Sequence, residues 1–123
     1  RGDGWLVVDD LIATRPLEAT LRWMLAAGWC LQPQGAVGVD LGLWVFGPGD
    51  LSLLDGDVHL PRNGCSPTYG VIEAGPLLEV RHRATGSFRW VTVIDERRPD
   101  AGEEIAWRGL RIPLRCEAPV EGR

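Results

Sequence analysis

"LLEVRHRATGSFRWVTVID", Leu77 to Asp95, is the stretch on which the reading of the fold turns. It reads as two alternating strands around a short Thr85-Gly86-Ser87 loop. Side chains along a strand point to opposite faces in turn. One face therefore carries Leu78, Val80, His82 and Ala84, then Phe88, Trp90, Thr92 and Ile94. The other carries Glu79, Arg81 and Arg83, then Arg89. The apolar face needs a partner layer to leave water. The arginine face is either a solvated surface or a surface with a ligand.

Working outward, the same alternation recurs. Gly4 to Ala13 is a β-branched apolar run. Leu17 to Gly28 sets Leu21, Trp23 and Leu25 against Thr20, Arg22 and Met24. Leu17, Leu21, Met24 and Leu25 also fit a helical spacing, and periodicity alone does not separate the two. The position of this segment, just behind a strand and the Thr14-Arg15-Pro16 turn, favours a strand joined to the first as a hairpin. Further short strands are expected at Ala36–Leu41, Leu43–Gly47, Leu51–Leu54, Asp57–Leu60, Thr68–Glu73, Glu104–Trp107 and Leu110–Glu117. Sixteen glycines and nine prolines punctuate the chain at short intervals. That rhythm belongs to an antiparallel sandwich or barrel and not to βαβ units. The expectation is an all-β, two-layer antiparallel β-sandwich forming a single domain over 1–123. Pro113 cannot donate to a ladder, so the last strand is expected at an edge or beside a bulge.

Composition narrows the function classes. The net charge is −4, which disfavours a general nucleic-acid binder, whose footprint is basic. All 13 cations are arginine, whose planar fork matches carboxylate and sulfate groups. No apolar run reaches the ~18 residues that span a bilayer, so no membrane partner is expected. Cys30, Cys65 and Cys116 form no CxxC pair and no disulfide framework, and are read as three buried thiols, with one bridge plus one free thiol as the alternative.

Candidate chemistry is sparse. His82 shares its face with Leu78, Val80 and Ala84 and reads as a core histidine. His59 follows Asp57 at i+2, so both side chains would share one strand face. Two such groups do not make a metal site, since zinc takes three or four, and no cofactor is expected. The pairs Asp9–Asp10 and Glu103–Glu104 are adjacent, so they face opposite ways and form no dyad; the first pair is read as a strand end or bulge. Of the six tryptophans, Trp23 and Trp90 share faces with aliphatic residues and should be buried; Trp29, Trp44 and Trp107 are open between core filler and sugar platform. Tyr69, the single tyrosine, sits in a turn-then-strand stretch, Ser66 to Gly70.

These motifs in this order resemble the heparinase II/III-like polysaccharide lyases. "GWLVVDDLIATRPLEATLRWMLAAG" is similar to that family's "W-hydrophobic-V-x-D" strand followed by an "R-aromatic-His-Leu" strand, and "SPTYG…AGPLLEVRHRATGSFRWVTVI" to its "S-x-x-YG", hydrophobic strand and "T-x-I". The resemblance covers Trp5 to Asp95. It departs at Met24, where the pattern has histidine after the aromatic. It implies that the chain is the β-sandwich part of a longer protein whose α/α toroid domain carries the catalytic residues. It also implies a parent that cleaves acidic, uronate-containing polysaccharide by β-elimination, in the periplasm or outside the cell. On that basis this chain is expected to be non-catalytic alone, with Tyr69, His59, Arg62, Arg81 and Arg83 toward the polysaccharide. The alternative is a non-enzymatic carbohydrate-binding or assembly sandwich, or, less well supported, a metal-dependent barrel needing a third ligand beside Asp57 and His59.

Overall fold

The computed structural model describes residues 4–25, 28–54, 64–68, 71–74 and 76–116. Among them every regular element is a strand. In chain order these are β1 (Trp5–Leu11), β2 (Leu17–Met24), β3 (Cys30–Gln32), β4 (Gly35–Val37), β5 (Gly42–Phe46), β6 (Asp50–Leu54), β7 (Gly64–Thr68), β8 (Val71–Ala74), β9 (Leu77–Ala84), β10 (Phe88–Asp95), β11 (Asp100–Ala101), β12 (Glu104–Trp107) and β13 (Leu110–Pro113).

All pairings are antiparallel. A five-stranded sheet runs β1-β10-β5-β4-β3, a three-stranded sheet β2-β9-β6 and a second three-stranded sheet β11-β12-β13; β7 and β8 pair separately. The first two sheets face each other across one core. Ala19 and Leu25 on the β2 side, with Leu78, Val80 and Ala84 from β9, meet Leu43 and Val45 of β5 and Phe88 and Trp90 of β10. The expected sandwich is therefore present. Its two halves are the two strands of the Leu77–Asp95 stretch, placed in opposite sheets.

The remaining sheet covers the outer face of the five-stranded one. Trp44, Phe46, Val91 and Val93 close on Ile105, with Trp107, Ile112 and Leu114 beside them. Strands β5 and β10 are thus buried on both faces, which is why 43–46 and 90–94 read as nearly continuous apolar runs. Alternation predicts the side each residue takes, but not that both sides are covered.

Three links carry the chain between the facing sheets at one end of the sandwich: 12–16, 47–49 and 85–87. The first and last are tied together, with the Ala13 amide donating to Ser87 Oγ at 3.1 Å. The middle link passes close to backbone. A Cβ on Gly47 would lie 2.5 Å from the Arg89 carbonyl oxygen, and one on Gly49 2.7 Å from that of Arg81. Both glycines also hold positive φ, +134° and +118°, which side chains resist. Trp90 Nε1 donates to the Pro48 carbonyl at 2.7 Å and pins this link to β10. At the other small sheet, Arg108 and Gly109 both have positive φ, the signature of the two-residue type I′ hairpin turn.

Several expectations are corrected. β1 and β2 do not form a hairpin: β1 pairs with β10 and β2 with β9. Thr68–Glu73 is not one strand but the end of β7 and most of β8. Ala36–Leu41 contributes only the end of β4, and the last strand stops at Pro113. Of the two readings of Asp9 and Asp10, the strand end holds and the bulge does not: they close β1 just before Leu11, in regular register opposite Trp90 and Arg89. Cys30 is exposed and Cys116 only half-buried, so these are not buried thiols. Pro113 does lie on an edge strand, β13. Trp90 and Trp44 are buried, whereas Trp23 is only partly so. Trp29 and Trp107 pack against the two cores.

Candidate functional site

The arginines of the opening stretch part company. Arg89, on β10, turns to the face covered by the small sheet, where its Nε and Nη2 bind Asp10 at 2.6 and 3.0 Å and its Nη1 reaches the Pro113 carbonyl at 2.8 Å. This fork holds the Asp10 carboxyl below the usual carboxylate range. It ties β1, β10 and β13 together and is structural. Arg81 and Arg83 remain on β9, on the outer face of the β2-β9-β6 sheet.

That face is built in rows, because directly paired residues share a side. Glu18 stands opposite Arg83, Thr20 opposite Arg81 and Arg22 opposite Glu79; Met24 is opposite Leu77. On the other flank β6 sets Asp50 opposite Arg81, Ser52 opposite Glu79 and Leu54 opposite Leu77. The face therefore grades from a charged end at Arg83 to an apolar end at Met24 and Leu54, both exposed.

Glu79 is its hub. The side chain is only 5% exposed. Arg22 Nε donates to Oε2 at 2.8 Å and Arg81 Nε donates to Oε1 at 2.9 Å. Burying a carboxylate is costly unless it is paired, and here each oxygen has its own cation. The hydrogen bond from Arg22, together with the charges of both arginines, holds the Glu79 carboxyl below its ordinary range despite the burial. The two arginines are themselves largely in solvent, at 46% and 61% exposure. Arg83 is exposed and makes no ion pair among the described residues.

Of the residues expected at a site, Arg81 and Arg83 thus share one open face. Tyr69, His59 and Arg62 lie outside the described residues, as does Asp57. Sequence reasoning missed Arg22 and the role of Glu79. Alternation did put Arg22 on the polar side of its strand, but its meeting with Glu79 depends on a pairing 57 residues away. His82, expected in the core, is partly buried and packs edge-to-face on Phe88, with ring centroids 4.8 Å apart.

Polar groups also line surface hollows elsewhere among the described residues. A surface hollow of about 420 Å³ is lined by Asp100, Glu103, Glu104 and Arg111, in which Arg111 and Glu104 pair at 3.4 Å. Another of about 240 Å³ lies between Pro33, Val37, Trp44 and Arg98. Among the described residues no three His, Cys, Asp or Glu side chains are grouped to hold a metal ion, and no helix is long and apolar enough to cross a membrane.

Comparison with protein families, with curated proteins and with solved structures finds no match to this chain.

Proposed function

We propose that this chain is the accessory β-sandwich domain of a heparinase II/III-like polysaccharide lyase, and that its open β2-β9-β6 face meets the acidic, uronate-containing polysaccharide. The α/α toroid of the parent protein would perform the β-elimination, in the periplasm or outside the cell. The sandwich would brace the toroid and wall one side of the cleft. The observation that carries this reading is the segregation of arginine: Arg22, Arg81 and Arg83 lie together on one solvent-facing sheet, while Arg89 is consumed internally. Guanidinium forks recognise carboxylates and sulfates by paired hydrogen bonds. The order of the sequence motifs from Trp5 to Asp95 supports the family.

Affinity electrophoresis of the chain on alginate, heparin and hyaluronan tests the binding, with ultraviolet absorbance of an unsaturated uronate product as the activity readout. Retardation without product is expected. Arg81→Ala should weaken the retardation by about tenfold, the usual scale for losing one charged hydrogen-bonded contact. Clear turnover by the chain alone, or no retardation on any acidic polymer, would overturn the assignment.

The exposed Trp5 on edge strand β1, 67% accessible, favours the second reading, a free-standing carbohydrate-binding or assembly module. Trp5→Ala abolishing retention on a neutral glycan, with the arginine variant unaffected, would establish it.

A further inference from the structure

We propose that Arg22 and Arg81, held from beneath by Glu79, form a two-pronged receptor for a single oxyanion, a sulfate or carboxylate borne on a sugar ring. The inference rests on the polysaccharide reading above and names the group that this face would grip.

Each arginine uses its Nε on Glu79, the donor nearest its own stem. Among the described residues, the Nη groups of both make no hydrogen bond to protein. A guanidinium carries five N–H donors in a rigid plane, so anchoring through Nε leaves the outer edge of each plane for a ligand. Arg22 and Arg81 stand on neighbouring strands in diagonal register, Arg22 opposite Glu79 and Arg81 two residues further along β9. Diagonal neighbours on a sheet lie about 7–8 Å apart at the backbone, and side chains of this length can both reach one anion between them.

Geometry rather than net charge singles out this spot: Glu79 lies beneath the two cations and Asp50 stands opposite Arg81, as Glu18 stands opposite Arg83, but only Arg22 and Arg81 are held by one shared carboxylate. The hydroxyl residues Thr20 and Ser52 occupy the remaining places beside the pair. Met24 and Leu54, in the adjoining row, offer an exposed apolar strip for the C–H face of a sugar. Glu79 is a positioning residue in this scheme. It fixes both guanidiniums before the anion arrives, so less side-chain freedom is lost on binding.

The test is a titration of the whole chain with sodium sulfate, followed through the arginine Nε–Hε resonances. Saturable shifts at Arg22 and Arg81, with none at Arg108, are expected. Oligomers of alginate, carrying carboxylates, and of heparin, carrying sulfates as well, should then compete and show which group is preferred. Arg22→Lys keeps the charge and loses the fork, and should weaken oligomer binding at least about fivefold. Glu79→Gln separates positioning from charge: simple electrostatics would tighten anion binding when the carboxylate is neutralised, whereas the receptor described here loosens. Wild-type affinity in Arg22→Lys, tighter binding in Glu79→Gln, or no localised sulfate shift would each overturn the proposal. Sulfate saturation without competition by either oligomer would leave the oxyanion receptor standing and sink the polysaccharide reading.

Discussion

Asp95 and Arg108 meet through two parallel hydrogen bonds of 2.9 Å each, Nε to Oδ2 and Nη2 to Oδ1. The same carboxylate accepts from Trp107 Nε1 at 2.7 Å and from the Glu96 amide at 2.7 Å. One side chain at the end of β10 thus fastens the β12–β13 turn to the central sheet. Gly4 sits against this latch, where a Cβ would lie 2.9 Å from the Trp107 ring.

The latch predicts an acid limb in stability. Asp95 is held well below its ordinary 3.8 by Arg108 first of all, Glu79 is held below 4.5 by Arg22, and Asp10 below 3.8 by Arg89. A lowered folded-state value means that the unfolded chain takes up protons the native one refuses. The stabilisation is therefore complete above pH 4.5, the higher of the ordinary values, and declines as pH falls below it. Urea denaturation across pH 2 to 7 should show this slope, and Asp95→Ala should flatten it while costing about 2–3 kcal/mol at neutral pH. A limb as steep in the variant as in the parent would contradict the assignment.

Thr92 is fully buried on β10, and among the described residues its hydroxyl finds no partner. Valine has nearly the same shape without the hydroxyl. Thr92→Val should raise stability by about 1 kcal/mol, since a buried polar group without a partner carries its desolvation cost uncompensated. Destabilisation on chemical denaturation would show that the hydroxyl is bound after all.

Two glycines should respond in opposite senses to alanine. A Cβ at Gly35 would stand 2.0 Å from the Leu43 carbonyl oxygen, in the tight β4–β5 pairing. Gly35→Ala must push strands apart and should cost more than about 3 kcal/mol. At Gly86 nothing lies within 4 Å, and its φ is outside the positive range. Gly86→Ala should be neutral or stabilising by up to about 1 kcal/mol through the unfolded chain. Melting temperatures of the two variants decide the matter, and equal losses would refute it.

Cys30 is exposed on β3, whereas Cys116 is half-buried and bonded to Asp10. A thiol reagent under native conditions should modify Cys30 before Cys116. Its protection relative to Cys116, read by mass spectrometry of the labelled peptides, would place β3 elsewhere.

Much of the architecture was legible in the residues themselves. The strands at Leu77–Ala84, Phe88–Asp95 and Glu104–Trp107 run where alternation puts them, because the two-residue period is a property of the backbone and needs no partner. The all-β class followed from that period and from the spacing of glycine and proline. Pairing was not legible. Every strand edge offers the same amide and carbonyl groups, so the choice that sends β1 to β10 and β2 to β9 is made by the whole core closing at once. That closure alone separates Arg89 from Arg81, lays the β11-β12-β13 sheet over Val91 and Val93, and brings Arg22 to Glu79. Which face a side chain takes is local chemistry; which neighbour it finds there is decided by tertiary packing.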